Sequence, residues 1–200
     1  MKNLATILIL FCASVFAQQK GTFTDPRDGK TYKTAKIGTQ TWLAENLNYE
    51  AEGSVCYENN PANCAKYGRL YNWQTAKKIC PKGWHLPSNA EWDKLFRFVD
   101  GDTGTKSPYK SETTGKYLKA KSGWNKDGNG TDDYGFSALP GGVGDSGGSF
   151  GSVGDLGFWW SANESNSFSA YGRTMYYGSD GAHWLSDGKS YLFSVRCLQD

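Results

Sequence analysis

Cys80-Pro81-Lys82-Gly83-Trp84-His85-Leu86-Pro87-Ser88-Asn89-Ala90-Glu91-Trp92 carries a cysteine, a tight turn, a bulky aromatic and a helix start in one short stretch. Ser88 and Glu91 stand at the S-x-x-E spacing, at which two side chains satisfy the free backbone N–H groups of a helix start. Trp92, Leu95, Phe96 and Val99 follow at i, i+3, i+4 and i+7, the repeat of one apolar helix face. The spacing predicts a capped helix from Asn89 to about Val99, delivered onto a core by a cysteine-anchored turn.

Upstream, Phe23 to Tyr49 reads as a β-meander, turned at Asp28-Gly29 and again at Gly38-Thr39. Gly68 to Ile79 reads as a short helix that Pro81 brings to an end at Cys80. Downstream, Gly101 to Glu112 is polar and loop-like, and Tyr117 to Ala120 reads as a further short helix. From Trp124 onward the chain is glycine-rich loop with short strands at Phe136–Leu139, Phe158–Ser161, Tyr171–Tyr177 and Tyr191–Cys197. No repeat of fixed period and no linker divides it. The expected class is α+β, with short helices, an antiparallel sheet and long irregular loops.

The N-terminus points to export. Lys2 precedes an apolar run from Leu4 to Phe16, and Val15 and Ala17 supply the side chains expected at −3 and −1 of a cleavage site. The expectation is a signal peptide over residues 1–17 and one domain over 18–200, carried across the inner membrane and then secreted or kept in the envelope. An uncleaved anchor is the alternative, set against a run too short to span a bilayer. Phe11 before Cys12 is too bulky for a lipoprotein signal. Losing Lys2 takes the formal charge from +2 to +1. Such a balance gives no electrostatic reason to bind nucleic acid or an anionic membrane. The eight Trp, twelve Tyr and ten Phe argue for a packed domain rather than a disordered chain.

Cys56, Cys64, Cys80 and Cys197 remain after cleavage. An even count in an exported chain argues for two disulfides with three connectivities. The pairing favoured is Cys56–Cys64, closing the polar loop Tyr57–Asn63, with Cys80–Cys197 tying the turn before the helix to the last strand. A four-cysteine zinc site is the rival, but no C-x-x-C pair exists.

Several segments together resemble one family. They are Asp25-Pro26-Arg27-Asp28-Gly29-Lys30-Thr31-Tyr32, Lys36-Ile37-Gly38-Thr39-Gln40-Thr41-Trp42-Leu43-Ala44-Glu45-Asn46-Leu47-Asn48-Tyr49 and Gly68-Arg69-Leu70-Tyr71-Asn72-Trp73. The Cys80–Trp92 stretch, Gly135-Phe136-Ser137-Ala138-Leu139-Pro140-Gly141-Gly142, Phe158-Trp159-Trp160-Ser161 and Phe193-Ser194-Val195-Arg196-Cys197 complete the set. The chain resembles the Fibrobacter succinogenes major paralogous domain. That family is similar to the formylglycine-generating enzyme and C-type-lectin-like superfamily, which implies a single C-type-lectin-like, sulfatase-modifying-factor-like domain with a sheet joining the two chain ends. The family has no agreed activity. The paired C-terminal cysteines that hold copper in the oxidase branch have no counterpart, because Cys197 stands alone in its region. The Glu-Pro-Asn, Gln-Pro-Asp and Trp-Asn-Asp carbohydrate motifs of C-type lectins are missing as well.

Four constellations bear on chemistry. Gly144-Asp145-Ser146-Gly147-Gly148 copies the pentapeptide around a trypsin-like nucleophile, which needs a His base and an orienting Asp. Only His85 and His183 exist, neither in that family's context, so a flexible loop is the reading preferred. Asn125, Asp127, Asn129, Thr131 and Asp133 alternate oxygen side chains with Gly130 at the sixth position, as in a calcium loop. Phe136 stands where the bidentate Glu is required, so a structural calcium site competes with a plain Asx/Gly turn. His85 reads as a packed imidazole rather than a ligand or base, and His183 has no evident partner. Trp159, Trp160, Tyr176, Tyr177 and Trp184 cluster as candidates for an aromatic binding face. Since neighbouring strand residues point to opposite faces, one of Trp159 and Trp160 is expected in the core and the other at the surface.

The function these readings favour is a non-catalytic exported domain that binds polysaccharide, other glycan or envelope protein. An enzyme of the formylglycine-generating superfamily acting on an exported protein is the alternative, and a purely structural surface protein the third. Function is expected on the loops between Trp124 and Trp184.

Overall fold

A computed structural model describes residues 19–200; the signal-peptide reading lies outside them. The chain opens with β1 (Lys20–Thr24), β2 (Thr31–Ile37) and β3 (Gln40–Leu43). These form the expected meander. Asp25 N–H donates to Lys30 O across the first turn, and Gly29 takes φ 75° to close it. Gly38, at φ 60°, opens the two-residue turn between the paired Ile37 and Gln40. β4 (Ser54–Val55) and a 3-10 turn at Tyr57–Asn59 lead to α1 (Pro61–Tyr67), capped by Asn60. The segment from Gly68 to Ile79 is not one helix. Leu70–Tyr71 is strand β5, and Asn72 then caps α2 (Trp73–Ile79) by accepting from Thr75 N–H at 2.9 Å.

After β6 (Trp84–His85) comes α3 (Asn89–Asp100), with both arms of the Ser88–Glu91 capping box in place and Gly101 left-handed at its end. Trp92, Leu95, Phe96 and Val99 are its buried face, as the periodicity requires. α4 covers Thr114–Leu118, earlier than the Tyr117–Ala120 expected. Phe136–Leu139 makes only a bridge between Ala138 and Lys119. The second half then supplies the hairpin β7 (Val143–Gly144) and β8 (Phe150–Gly151), followed by β9 (Leu156–Glu164), β10 (Ser169–Tyr176) and β11 (His183–Gly188). β11 carries few apolar residues, and its strand character comes from pairing along β10. Last come β12 (Phe193–Ser194) and β13 (Leu198–Gln199).

Two main sheets result, in the orders β1-β2-β3-β13-β6 and β11-β10-β9-β12-β5-β4. The C-terminal segment is the seam between them. β12 lies parallel to β9 and antiparallel to β5, and after three intervening residues β13 enters the other sheet between β3 and β6. Cys197, inside that seam, is bonded to Cys80, and Cys56 to Cys64. Both expected disulfides are therefore present. In the larger sheet each face carries a core. Trp159 packs with Trp42, Trp92, Phe96 and Phe136, while Trp160 packs with Tyr71, Trp73, Phe193 and Val195.

Candidate functional site

The loops are anchored by one buried polar hub. Asn46 Oδ1 accepts from Trp159 Nε1 at 2.8 Å and from Arg196 Nη2 at 2.8 Å, while its Nδ2 donates to Tyr67 O at 2.8 Å. Arg196, fully enclosed, also donates to Leu43 O at 3.2 Å and to the carbonyl of Phe136, whose ring lies 4.4 Å from the guanidinium. Burial depresses its pKa to about 9, because every hydrogen-bond acceptor around the cation is neutral. The Ala44–Asn46, Phe136–Ser137, Trp159 and Arg196 segments of the resemblance thus meet at one point. Their work is structural: they fix where the loops leave the sheets.

A cavity of about 550 Å³ opens where the stapled Cys56–Cys64 loop, α2 and the β7–β8 hairpin come together. Asn59, Gln74, Asp145, Ser146 and Ser190 line its polar side, and Phe150 with Leu192 its apolar side. The hairpin turn is set by Asp145, whose Oδ1 accepts from Gly147 N–H at 2.8 Å and Ser149 N–H at 3.0 Å. The Tyr57 ring braces Phe150 at 5.3 Å. Lys189 also lines the cleft and is held by Ser167 O at 2.9 Å and Glu164 at 3.3 Å, so its charge is already engaged. The cleft is a concave site with an apolar floor and converging donors and acceptors, and its two charged groups, Asp145 and Lys189, already have partners. Sequence reasoning missed Gln74 and Phe150. Nothing in a one-dimensional pattern brings α2 to the β7–β8 hairpin.

The aromatic candidates divide. Trp159 and Trp160 are both fully buried, so neither offers a ring face to a ligand. The expectation that one reaches the surface fails because this sheet is covered on both faces. Their indole N–H groups are spent on Asn46 and on Tyr71 O. Tyr176 and Tyr177 do reach the surface, with ring centroids 4.3 Å apart. Trp184 is exposed on β11, edge-on to Tyr171 at 6.0 Å.

The Asn125–Asp133 loop closes over the end of β10. Its side chains tie the loop to neighbouring segments. Asn129 Oδ1 accepts from Trp124 N–H at 3.1 Å, Asn125 Nδ2 donates to Asp155 at 3.0 Å, and Thr131 Oγ1 to Lys116 O at 3.4 Å. Gly130 is required for a reason other than a calcium turn: a Cβ there would strike the carbonyls of Lys116 and Lys119. Among the described residues no group of three or more His, Cys, Asp or Glu is placed to hold a metal ion. The loop, Tyr177 and the buried Lys119 line a second, open cavity of about 380 Å³.

Ser146 lies at the tip of the β7–β8 turn and has no histidine partner among the described residues. His85 is engaged elsewhere, by Asp200 at 2.6 Å and Glu91 at 3.0 Å. Among the described residues no helix is long and apolar enough to cross a membrane.

No curated protein and no solved structure matches the chain. The model of the Fibrobacter succinogenes major domain matches residues 35–199, which take in the hub, both cavities and the C-terminal seam, and the chain belongs to that family.

Proposed function

We propose that this protein is an exported, non-catalytic binding domain of C-type-lectin-like, sulfatase-modifying-factor-like architecture, and that it holds a segment of neutral polysaccharide in the cleft beside the β7–β8 hairpin. One observation carries the reading. The cleft combines an apolar wall at Phe150 and Leu192 with uncharged hydrogen-bonding side chains at Asn59, Gln74, Ser146 and Ser190, while its charged residues, Asp145 and Lys189, are engaged by the hairpin turn and by Glu164. Sugars are recognised in that way, by an apolar surface for C–H faces and short polar groups for hydroxyls. The two disulfides support an oxidising, extracytoplasmic home.

The enzyme reading is weaker on a specific ground. Cys56, Cys64, Cys80 and Cys197 are all consumed in disulfides. No pair of thiolates is left among the described residues for the oxidase chemistry of the formylglycine-generating branch. A purely structural surface role is separated from binding by experiment. Affinity electrophoresis of the protein through gels of neutral polysaccharides is expected to retard it. Gln74→Ala and Ser190→Ala each remove one hydrogen bond and should weaken retardation by roughly two- to tenfold. Free migration in every gel would leave the structural role.

A further inference from the structure

The second cavity has properties the neutral cleft lacks. At its floor is Lys119, almost wholly buried, whose Nζ donates to Ser179 O at 2.9 Å and Tyr176 O at 3.3 Å and lies 5.3 Å from the Trp124 ring. Those two carbonyls take two of its three protons. Among the described residues no carboxylate lies within ion-pair distance of it. A buried ammonium whose hydrogen-bond partners are all neutral keeps one proton uncommitted, and Asp180 is the carboxylate that acts on it through space. Burial accordingly draws its pKa down.

The rim is built with strain. Asn125–Gly128 is a tight turn closed by Gly128 N–H to Asn125 O at 2.9 Å. Its central residues, Lys126 and Asp127, both sit in the left-handed region at φ 48° and 58°. Turns of this hand normally take Asn and Gly at those positions. Non-glycine residues held there persist because the surroundings over-determine them, and such positions gather at ligand sites. The turn carries Lys126 to Tyr177, where its Nζ donates to the hydroxyl at 2.9 Å. Gly128 is pressed so closely on Tyr177 that a Cβ would collide with it. Asp127 and Asp180 complete the rim.

We propose that this cavity binds a hexuronate, a sugar ring bearing one carboxylate. Lys119 receives the carboxylate, the Tyr177 ring, which has Tyr176 at 4.3 Å and the Lys126 ammonium over it at 4.9 Å, borders the sugar by its edge, and Asp127 and Asp180 accept from its hydroxyls. The two rim carboxylates select against ligands of higher charge density: a phosphate or sulfate cluster would meet them in repulsion, whereas a singly charged, hydroxyl-rich ring uses them as acceptors. The site is independent of the neutral cleft, and residues of one do not line the other.

The test is titration calorimetry of the whole exported protein with trigalacturonate, its methyl ester, sodium phosphate and an oligo-aspartate at matched ionic strength. Trigalacturonate is expected to bind, and its methyl ester at least about tenfold more weakly. Tyr177→Leu, a surface change, should weaken binding severalfold while leaving the unfolding midpoint intact. Lys119→Met should abolish it, and Gln74→Ala should leave it unchanged. Equal binding of acid and ester would overturn the proposal, as would phosphate or oligo-aspartate binding as tightly as the sugar. Absence of trigalacturonate binding, or affinity indifferent to Tyr177→Leu, would also overturn it. Failure of neutral polysaccharides to retard the protein would leave this outcome untouched.

Discussion

Trp159 donates its indole N–H to Asn46 Oδ1 at 2.8 Å, across 113 positions of sequence, and Arg196 donates to the same oxygen. One neutral amide thus joins the turn after β3, the centre of β9 and the C-terminal seam. Asn46→Ala should leave a buried indole N–H without its acceptor and deprive a buried guanidinium of a main partner. A loss of about 2–4 kcal/mol is expected in denaturant unfolding. That is a large share of the stability of an ordinary domain. An unchanged midpoint would show that the hub is dispensable.

The two disulfides should differ in worth. Cys56–Cys64 closes a separation of 8 residues and Cys80–Cys197 one of 117. In the chain-entropy picture the first stabilises by about 2.5 kcal/mol and the second by about 5 kcal/mol. Double Ala replacement of each pair, compared by denaturant midpoint, is expected to harm the protein more when the Cys80–Cys197 pair is removed. Equal or reversed losses would mean that the seam holds without its covalent tie.

His85 gives the stability a pH dependence. It bridges Asp200, at the end of β13, and Glu91, in the capping box of α3. Burial pulls its pKa down, but hydrogen bonds to Asp200 and Glu91 and the charges of those two carboxylates outweigh this, and the net shift is upward. A raised folded-state pKa means that the contribution is fully present below the unfolded value of 6.5 and is lost as pH climbs through the folded value. Midpoints measured from about pH 5.5 to about pH 8.5 should fall on the alkaline side, and His85→Gln should flatten that fall. A slope identical in the variant would assign the dependence to other groups.

Local signals were legible where a side chain acts on its own backbone. Ser88, Glu91 and the Trp92–Val99 face predicted α3, and Gly38 marked a hairpin. Cysteine number and loop chemistry anticipated both pairs. What stayed illegible is set by partners distant in sequence. β11 is a strand because β10 supplies its hydrogen bonds. The Gly68–Ile79 pattern looked uniform, yet Leu70–Tyr71 is drawn into the ladder between β4 and β12 before Asn72 starts the helix. The cavity walls are harder still, since Gln74 and Phe150, or Lys119 and Tyr177, become neighbours only after both sheets are assembled.

Ser146 should be inert despite the Gly-Asp-Ser-Gly-Gly string around it. A serine nucleophile needs an imidazole within hydrogen-bond reach. His85 is held between two carboxylates at the β6 edge of the β1-β2-β3-β13-β6 sheet, and Asp145 uses its oxygen to cap the turn. A fluorophosphonate probe is expected to leave the protein unlabelled. Labelling that disappears in Ser146→Ala would make a hydrolytic activity real.

Trp160 distinguishes a core aromatic from a binding platform. Its ring stacks on Phe193 at 4.2 Å, and its N–H donates to Tyr71 O at 2.8 Å. It has no accessible surface. Trp160→Ala would open a cavity between β9, β12 and α2 and free a buried carbonyl, a change that costs about 3–5 kcal/mol in comparable cores. Tyr177→Leu, at the surface, should cost much less. The measurement is paired denaturation and ligand titration of both variants. The burial argument predicts that Trp160→Ala lowers the unfolding midpoint sharply and that Tyr177→Leu affects affinity alone. A Trp160→Ala protein with wild-type stability and impaired ligand binding would return Trp160 to the binding face and contradict the two-sided burial of β9.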